Sequence, residues 1–203
     1  DADGDESSAA TIEAGTELRL RNLQTGDERS FKNVVEYYFS KNGRKLLLEH
    51  SRDPKDSLSK IVVLLHDLRR GVADTLSYGG NEFKNFAMTD DGLQVAFIAE
   101  RDAIPIAIGT KDLEKIYKLW YYKEGMDSAG ILAEKTSVGM QVGMTISEYA
   151  NLEFSKSGKR LFFGTAPIQA PKDTSLIEID LVKLDIWHYN DDYLQPMQLK
   201  NLP

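Results

Sequence analysis

The residues whose types and spacing could do chemistry are few. Ser77-Tyr78-Gly79-Gly80 matches the right half of G-x-S-x-G, the strained turn that presents a nucleophilic serine in acyl-transfer enzymes. The first glycine of that pattern is replaced by Thr75. The turn also needs a buried strand before the serine and a helix after it, whereas FKNFAMTDDG, a strand and a turn, follows here. A glycine-rich crossover between two strands accounts for the same letters. The histidines are His50, His66 and His188, and no two have the i, i+4 or short-loop spacing of a metal site. His66 falls among Leu64, Leu65 and Leu68 and reads as a packed strand residue. His188 neighbours Asp185, Asp191 and Asp192, but DIWHYNDDYLQ lacks the alternating oxygen ligands and turn glycine of a calcium loop. No phosphate-binding glycine loop or dinucleotide fingerprint is present. These residues make no catalytic set, and they imply neither a metal nor a cofactor.

The bulk composition narrows the classes further. With 41% hydrophobic and 28% charged residues, the chain of 203 has the profile of a globular protein with a sizeable core. No apolar run reaches the length of a membrane helix, and DADGDESSAA at the front is neither basic nor apolar enough for a signal peptide. Zero cysteines exclude disulfides and thiolate metal sites. The net charge of −7 is local: six of the 32 acids lie in residues 1–17 with no base among them, and the other 26 nearly balance 25 Lys and Arg. Residues 1–16 therefore read as an acidic flexible segment or linker. No basic stripe suits nucleic acid, so neither nucleic acid nor membrane is an expected partner.

The elements that would have to position any site come from a repeat. VVEYYFS-KNG-RKLLLE (34–49) returns as YANLEFS-KSG-KRLFFG (149–164), with a weaker relative, FKNFAMT-DDG-LQVAFIA (83–99), between them. In each, an apolar-aromatic run meets a short polar turn containing Gly43, Gly92 or Gly158, and an apolar run follows. That is the pattern of a β-hairpin. The signature Pro-Lys-Asp also recurs, at Pro54-Lys55-Asp56 and Pro171-Lys172-Asp173. A second strand pair follows each hairpin: KIVVLLHDL then VADTLS, KLWYYKEG then AGILAE, and KLDIWHYNDD then LQPMQLK. Trp120 and Trp187 hold matching third-strand positions and read as packing between neighbouring units. The bases Lys41, Arg44, Lys45, Lys156, Lys159 and Arg160 flank the turns and read as solvated turn residues.

Four short strands repeated every 40–50 residues or more is the mark of a β-propeller blade. The fold class expected is all-β: a partial β-propeller of about three to three and a half four-stranded blades, part of a longer propeller. The units fall at about 17–31, 32–80, 81–137 and 144–203, with residues 100–116 and 164–182 as inserted loops. A β-sandwich is the rival, but its strands need not repeat one motif in register. Helical character is confined to TKDLEKIYKL (110–119), which could instead be a loop with one turn. Three and a half blades leave open strand edges, so an isolated fragment is expected to associate through them or to fray.

FSKNGRKL and FSKSGKRLFFGTAP resemble the F-S-x-D-G-x-x-L repeats of propellers attached to serine peptidases. APKDTSLIEIDLVKLDIWHYNDDYLQPMQLKNL (170–202) is similar to the propeller of a bacterial branch of the prolyl oligopeptidase family. PKDTSL and LDIWHYNDDYLQPMQ are the more specific stretches, and the resemblance spans about residues 17–203. It implies a fragment that precedes an α/β-hydrolase domain of the same polypeptide and gates its Ser-Asp-His triad against all but short peptides. It also implies an exported, periplasmic or extracytoplasmic setting. No triad motif lies in this chain, so the chain alone is expected to be inactive. The paired glutamates with which the dipeptidyl-peptidase branch holds a substrate amino terminus have no counterpart, and no functional residue carries over. The alternative is a stand-alone propeller that binds a protein or carbohydrate; a small hydrolase using Ser77 ranks last.

Overall fold

The computed structural model describes residues 15–53, 55–56, 58–101, 104–105 and 113–168, which form strands and turns without a helix. β1 (Thr16–Arg21), β2 (Glu28–Phe39), β3 (Lys45–His50), β4 (Val62–Asp67) and β5 (Val72–Tyr78) make one antiparallel sheet in sequence order. β6 (Glu82–Met88), β7 (Gln94–Glu100), β10 (Lys118–Lys123) and β11 (Gly130–Ala133) make a second meander, interrupted by the two-residue hairpin β8 (Ile104–Pro105) and β9 (Leu113–Glu114). A third hairpin is split in two. β12 (Met144–Ile146) pairs with β15 (Thr165–Pro167), and β13 (Glu153–Phe154) pairs with β14 (Leu161–Phe162).

Alternating apolar residues explain the stacking. On β7, Val95, Phe97 and Ala99 pack with Leu47, Val63, Leu65 and Leu76 of the first sheet. Ala96 and Ile98 face the other way and, with Leu119 of β10, join Ile146 and Leu152 of the third unit. A central strand buried on both faces must read as a continuous apolar run, and VAFIA does. Each sheet thus hides its apolar faces against its neighbours.

The three look-alike turns share one conformation. Gly43, Gly92 and Gly158 have φ of 67, 74 and 65°, the left-handed region that glycine enters without a Cβ penalty. Each donates its N–H to the carbonyl of Ser40, Thr89 or Ser155 at 2.8 Å. The hydroxyls of those same residues accept from Lys45, Gln94 and Arg160 N–H at 2.9, 3.1 and 3.1 Å. The pairs closing the hairpins are equivalent too: Phe39 with Leu46, Met88 with Val95, Phe154 with Leu161. Successive turns also touch. Asn42 Nδ2 donates to Asp91 O at 3.2 Å, and Gln94 Nε2 donates to Gly158 O at 3.2 Å. Like elements meet like elements from unit to unit, as in sheets arranged around a common axis. The molecule is all-β, a partial β-propeller.

TKDLEKIYKL is not helical where described: Leu113–Glu114 and the start of β10 are strands, because cross-strand partners outweigh weak helical propensity. The loop expected from residue 164 begins instead with a strand, β15, held by β12. Segment 17–31 joins the sheet of unit 32–80 directly, since Glu28–Phe39 is one strand, β2, that pairs with both β1 and β3. Pro54, Pro171-Lys172-Asp173, Trp187 and His188 lie outside the described residues.

Candidate functional site

A bulge interrupts the first strand of every unit. In the first unit, two positions on β2 (Val34 to Glu36) answer one on β3 (His50 to Glu49). In the second, three on β6 (Lys84 to Ala87) answer two on β7 (Ile98 to Ala96), with Asn85 at φ 52°. In the third, seven positions from Ile146 to Glu153 answer three from Thr165 to Phe162, so the extra residues form an excursion. Bulges re-aim side chains and recur beside functional sites.

The three bulges meet at one groove of about 390 Å³. Glu36 and Tyr38 of β2, Asn85 and Phe86 of β6, and Asn151, Leu152 and Glu153 of the excursion line it. Asn85 fixes the excursion by donating from Nδ2 to the Glu148 and Ala150 carbonyls at 2.7 and 3.1 Å. Gly164 makes room for it, because a Cβ there would lie 2.2 Å from Ala150 Cβ. The Tyr38 ring packs on Phe86 with centroids 5.6 Å apart, and its hydroxyl donates to Glu36. Burial, then the bond to Glu36 and the nearby carboxylates, push the Tyr38 phenol well above its usual range. It therefore stays a donor at any physiological pH.

Beside the groove sits a polar clasp between the second and third units. Glu82 accepts from Lys84 and Lys115 Nζ, each at 2.9 Å, and from Tyr117 Oη at 2.7 Å; Lys84 also pairs with Glu148. Burial opposes ionisation of Glu82, but these donors outweigh it and bring the carboxyl down to about 2. The groove lining offers carboxylates, amides and aromatic faces, with no histidine and no nucleophile. Such a set can bind; it has no group to carry out acyl transfer.

The sequence candidates lie elsewhere. Ser77 is buried on β5 opposite Val63, and its Oγ has no hydrogen-bond partner, so nothing activates it. Gly79 and Gly80, at φ 84 and 114°, carry the chain from β5 to β6 as a crossover, not into a helix. His50 Nδ1 lies 2.8 Å from the Lys32 carbonyl. The His66 and Phe31 rings meet edge-on with centroids 4.9 Å apart, and burial, then His50 and Arg29, lower the pKa of His66. Among the described residues no three His, Asp or Glu converge as a metal site. Trp120 packs against the core and stacks on Phe97 at 6.5 Å, as expected for a packing residue. Of the turn bases, Lys45 is not solvated: its ammonium is buried between Asp67 and Glu124. The groove itself was missed; the only sequence sign was the Asn-aromatic pair Asn85-Phe86 at an apolar strand's centre.

No family model matches the chain, and no curated protein does. Solved structures similar to it include the tricorn protease, at 14% identity and TM-score 0.46, over 73% of this chain and 13% of that one. TolB from Acinetobacter baumannii is similar at 18% identity and TM-score 0.44, over 75% and 32%. The β-propeller domain of the Trilobed protease from Pyrococcus furiosus, described as having an open velcro topology, is similar at 10% identity and TM-score 0.34, over 64% and 51%. The chain thus spans about a third or less of the first two structures and half of the third.

Proposed function

We propose that this chain is the propeller portion of a prolyl-oligopeptidase-type serine peptidase, gating short peptides toward an α/β-hydrolase domain of the same polypeptide and not catalytic by itself. The observation that carries the reading is the groove where the three first-strand bulges meet. It offers a peptide an aromatic wall (Tyr38, Phe86), amides (Asn85, Asn151) and carboxylates (Glu36, Glu153) without a reactive group. The resemblance of PKDTSL and LDIWHYNDDYLQPMQ supports the peptidase context. An extracytoplasmic location belongs to the same proposal and is checked by fractionating cells expressing the natural reading frame.

The test is made on the whole polypeptide that contains this chain. Y38A combined with F86A should change the dependence of kcat/KM on peptide length while leaving hydrolysis of a minimal activated ester untouched. Unchanged length discrimination in the double variant would remove the gating role. A reading frame that closes a propeller and encodes no serine triad would favour a stand-alone binding module instead.

A further inference from the structure

We propose that the crossover from β5 to β6 carries an anion site, built from Arg52, Lys60 and Arg101, for the side-chain carboxylates of an acidic peptide segment. The three bases come from three different stretches of chain and converge on Tyr78–Gly80. Arg101 Nη2 donates to the Tyr78 carbonyl at 2.9 Å, and its guanidinium lies 4.8 Å from the centre of the Trp120 ring. Arg52 Nη2 donates to the Gly80 carbonyl at 3.3 Å. Lys60 Nζ sits 5.3 Å from the Tyr78 ring centre. A methyl group placed on Gly79 would be 3.6 Å from Lys60 Cδ and 3.9 Å from Arg101 Nη2, so both side chains flank one backbone position.

What sets this cluster apart is the lack of a counter-charge among the described residues. Buried and half-buried lysines elsewhere are neutralised: Lys45 by Asp67 and Glu124, Lys84 by Glu82 and Glu148, and Lys118 by Glu134. Among the described residues no carboxylate forms an ion pair with Arg52, Lys60 or Arg101. Glu100, next to Arg101, accepts from Asn81 Nδ2 at 3.0 Å instead, and Asp53, next to Arg52, accepts from the Lys55 N–H at 2.9 Å. A separate observation points the same way: Arg52 Nε is buried with no acceptor. A buried donor left unmade is costly, and a guanidinium is shaped to give two parallel bonds to one carboxylate. Two of the three cations are already anchored, Arg101 by a carbonyl and a ring and Arg52 by a carbonyl, so little side-chain freedom is lost when an anion arrives. Three charges converging on a few residues raise the local concentration of an acidic ligand.

The probe is an end-capped peptide, acetyl-Asp-Glu-Asp-Glu-amide, titrated into the full 203-residue chain at low salt by calorimetry, with inorganic phosphate as a parallel arm. Saturable peptide binding is expected, weakening with added salt. K60Q and R52Q should each weaken it about tenfold, the scale of one charge-assisted hydrogen bond. Lys60 is exposed and lies over a ring face with no ion pair among the described residues, so K60Q will fold; an unchanged melting curve confirms it. R101K keeps the charge but loses the fork and should weaken binding as well. Residues 1–14 hold five acids and no base, so a chain lacking them distinguishes an internal source of the carboxylates. Tighter peptide binding after their removal assigns the site to the chain's own head; equal binding assigns it to a segment supplied from outside. Absence of saturable binding in both chains overturns the site. So does binding that K60Q and R52Q leave intact, and so does binding of phosphate without the peptide.

Discussion

Asn85 and Glu148 are 63 positions apart, yet the amide of one donates to the backbone carbonyl of the other at 2.7 Å. That bond ties the bulge of β6 to the excursion of the third unit and sets the far wall of the groove. Asn85 holds φ 52°, a conformation that asparagine tolerates better than alanine. N85A should destabilise the protein by about 2–3 kcal/mol, from two lost hydrogen bonds and the backbone cost together. N85G removes only the bonds, and its urea midpoint should lie between wild type and N85A.

Gly164 is required for its small size. In G164A the new methyl would overlap Ala150, so the excursion 147–152 must move. A loss of about 1–3 kcal/mol is expected, in the range of overpacking. Hydrogen exchange should rise in 147–152 while β7 and β10 stay protected. Equal exchange in both proteins would show that the excursion does not depend on this contact.

The buried and exposed ion pairs should behave differently. Lys45 Nζ, on a side chain only 5% exposed, lies 3.2 Å from Asp67 and 2.8 Å from Glu124, joining the first sheet to the second. Removing it as K45A leaves Asp67 and Glu124 without their cation and should cost about 3 kcal/mol. Lys41 and Asp90 make a similar pair at 3.1 Å with side chains 75% and 64% exposed. D90N should change stability by less than about 0.5 kcal/mol. Denaturant midpoints of the two variants decide the comparison.

Glu82 predicts an acid-sensitive joint. Its carboxyl is held at about 2 against an ordinary 4.5, so the folded state binds this proton less readily than the unfolded chain does. The stabilisation is complete above pH 4.5 and is lost as pH falls from there toward 2. E82Q should be less stable than wild type at pH 7, and the difference should shrink steadily through that window. A pH-independent difference would mean that the charge of Glu82 does not stabilise the clasp.

The covalent chemistry of the chain is testable directly. A fluorophosphonate should leave Ser77 unlabelled in the folded chain, because the hydroxyl is buried and has no base beside it. A labelled Ser77 peptide by mass spectrometry would restore the hydrolase reading.

Some of this was decided by local sequence. The turns KNG, DDG and KSG could be read as hairpins because a left-handed glycine and a hydroxyl three residues before it satisfy the turn within six residues. The run VAFIA is apolar at every position, which is the pattern a strand covered on both faces requires. The groove was different. Glu36, Asn85 and Glu153 look like ordinary polar residues of strands, and only the bulges bring them to one wall. A bulge is a mismatch between two strands, so neither strand's letters disclose it. The same holds for Lys45 and for Arg52, Lys60 and Arg101: whether a base is neutralised depends on what the neighbouring sheet presents, a distance that chain order does not contain.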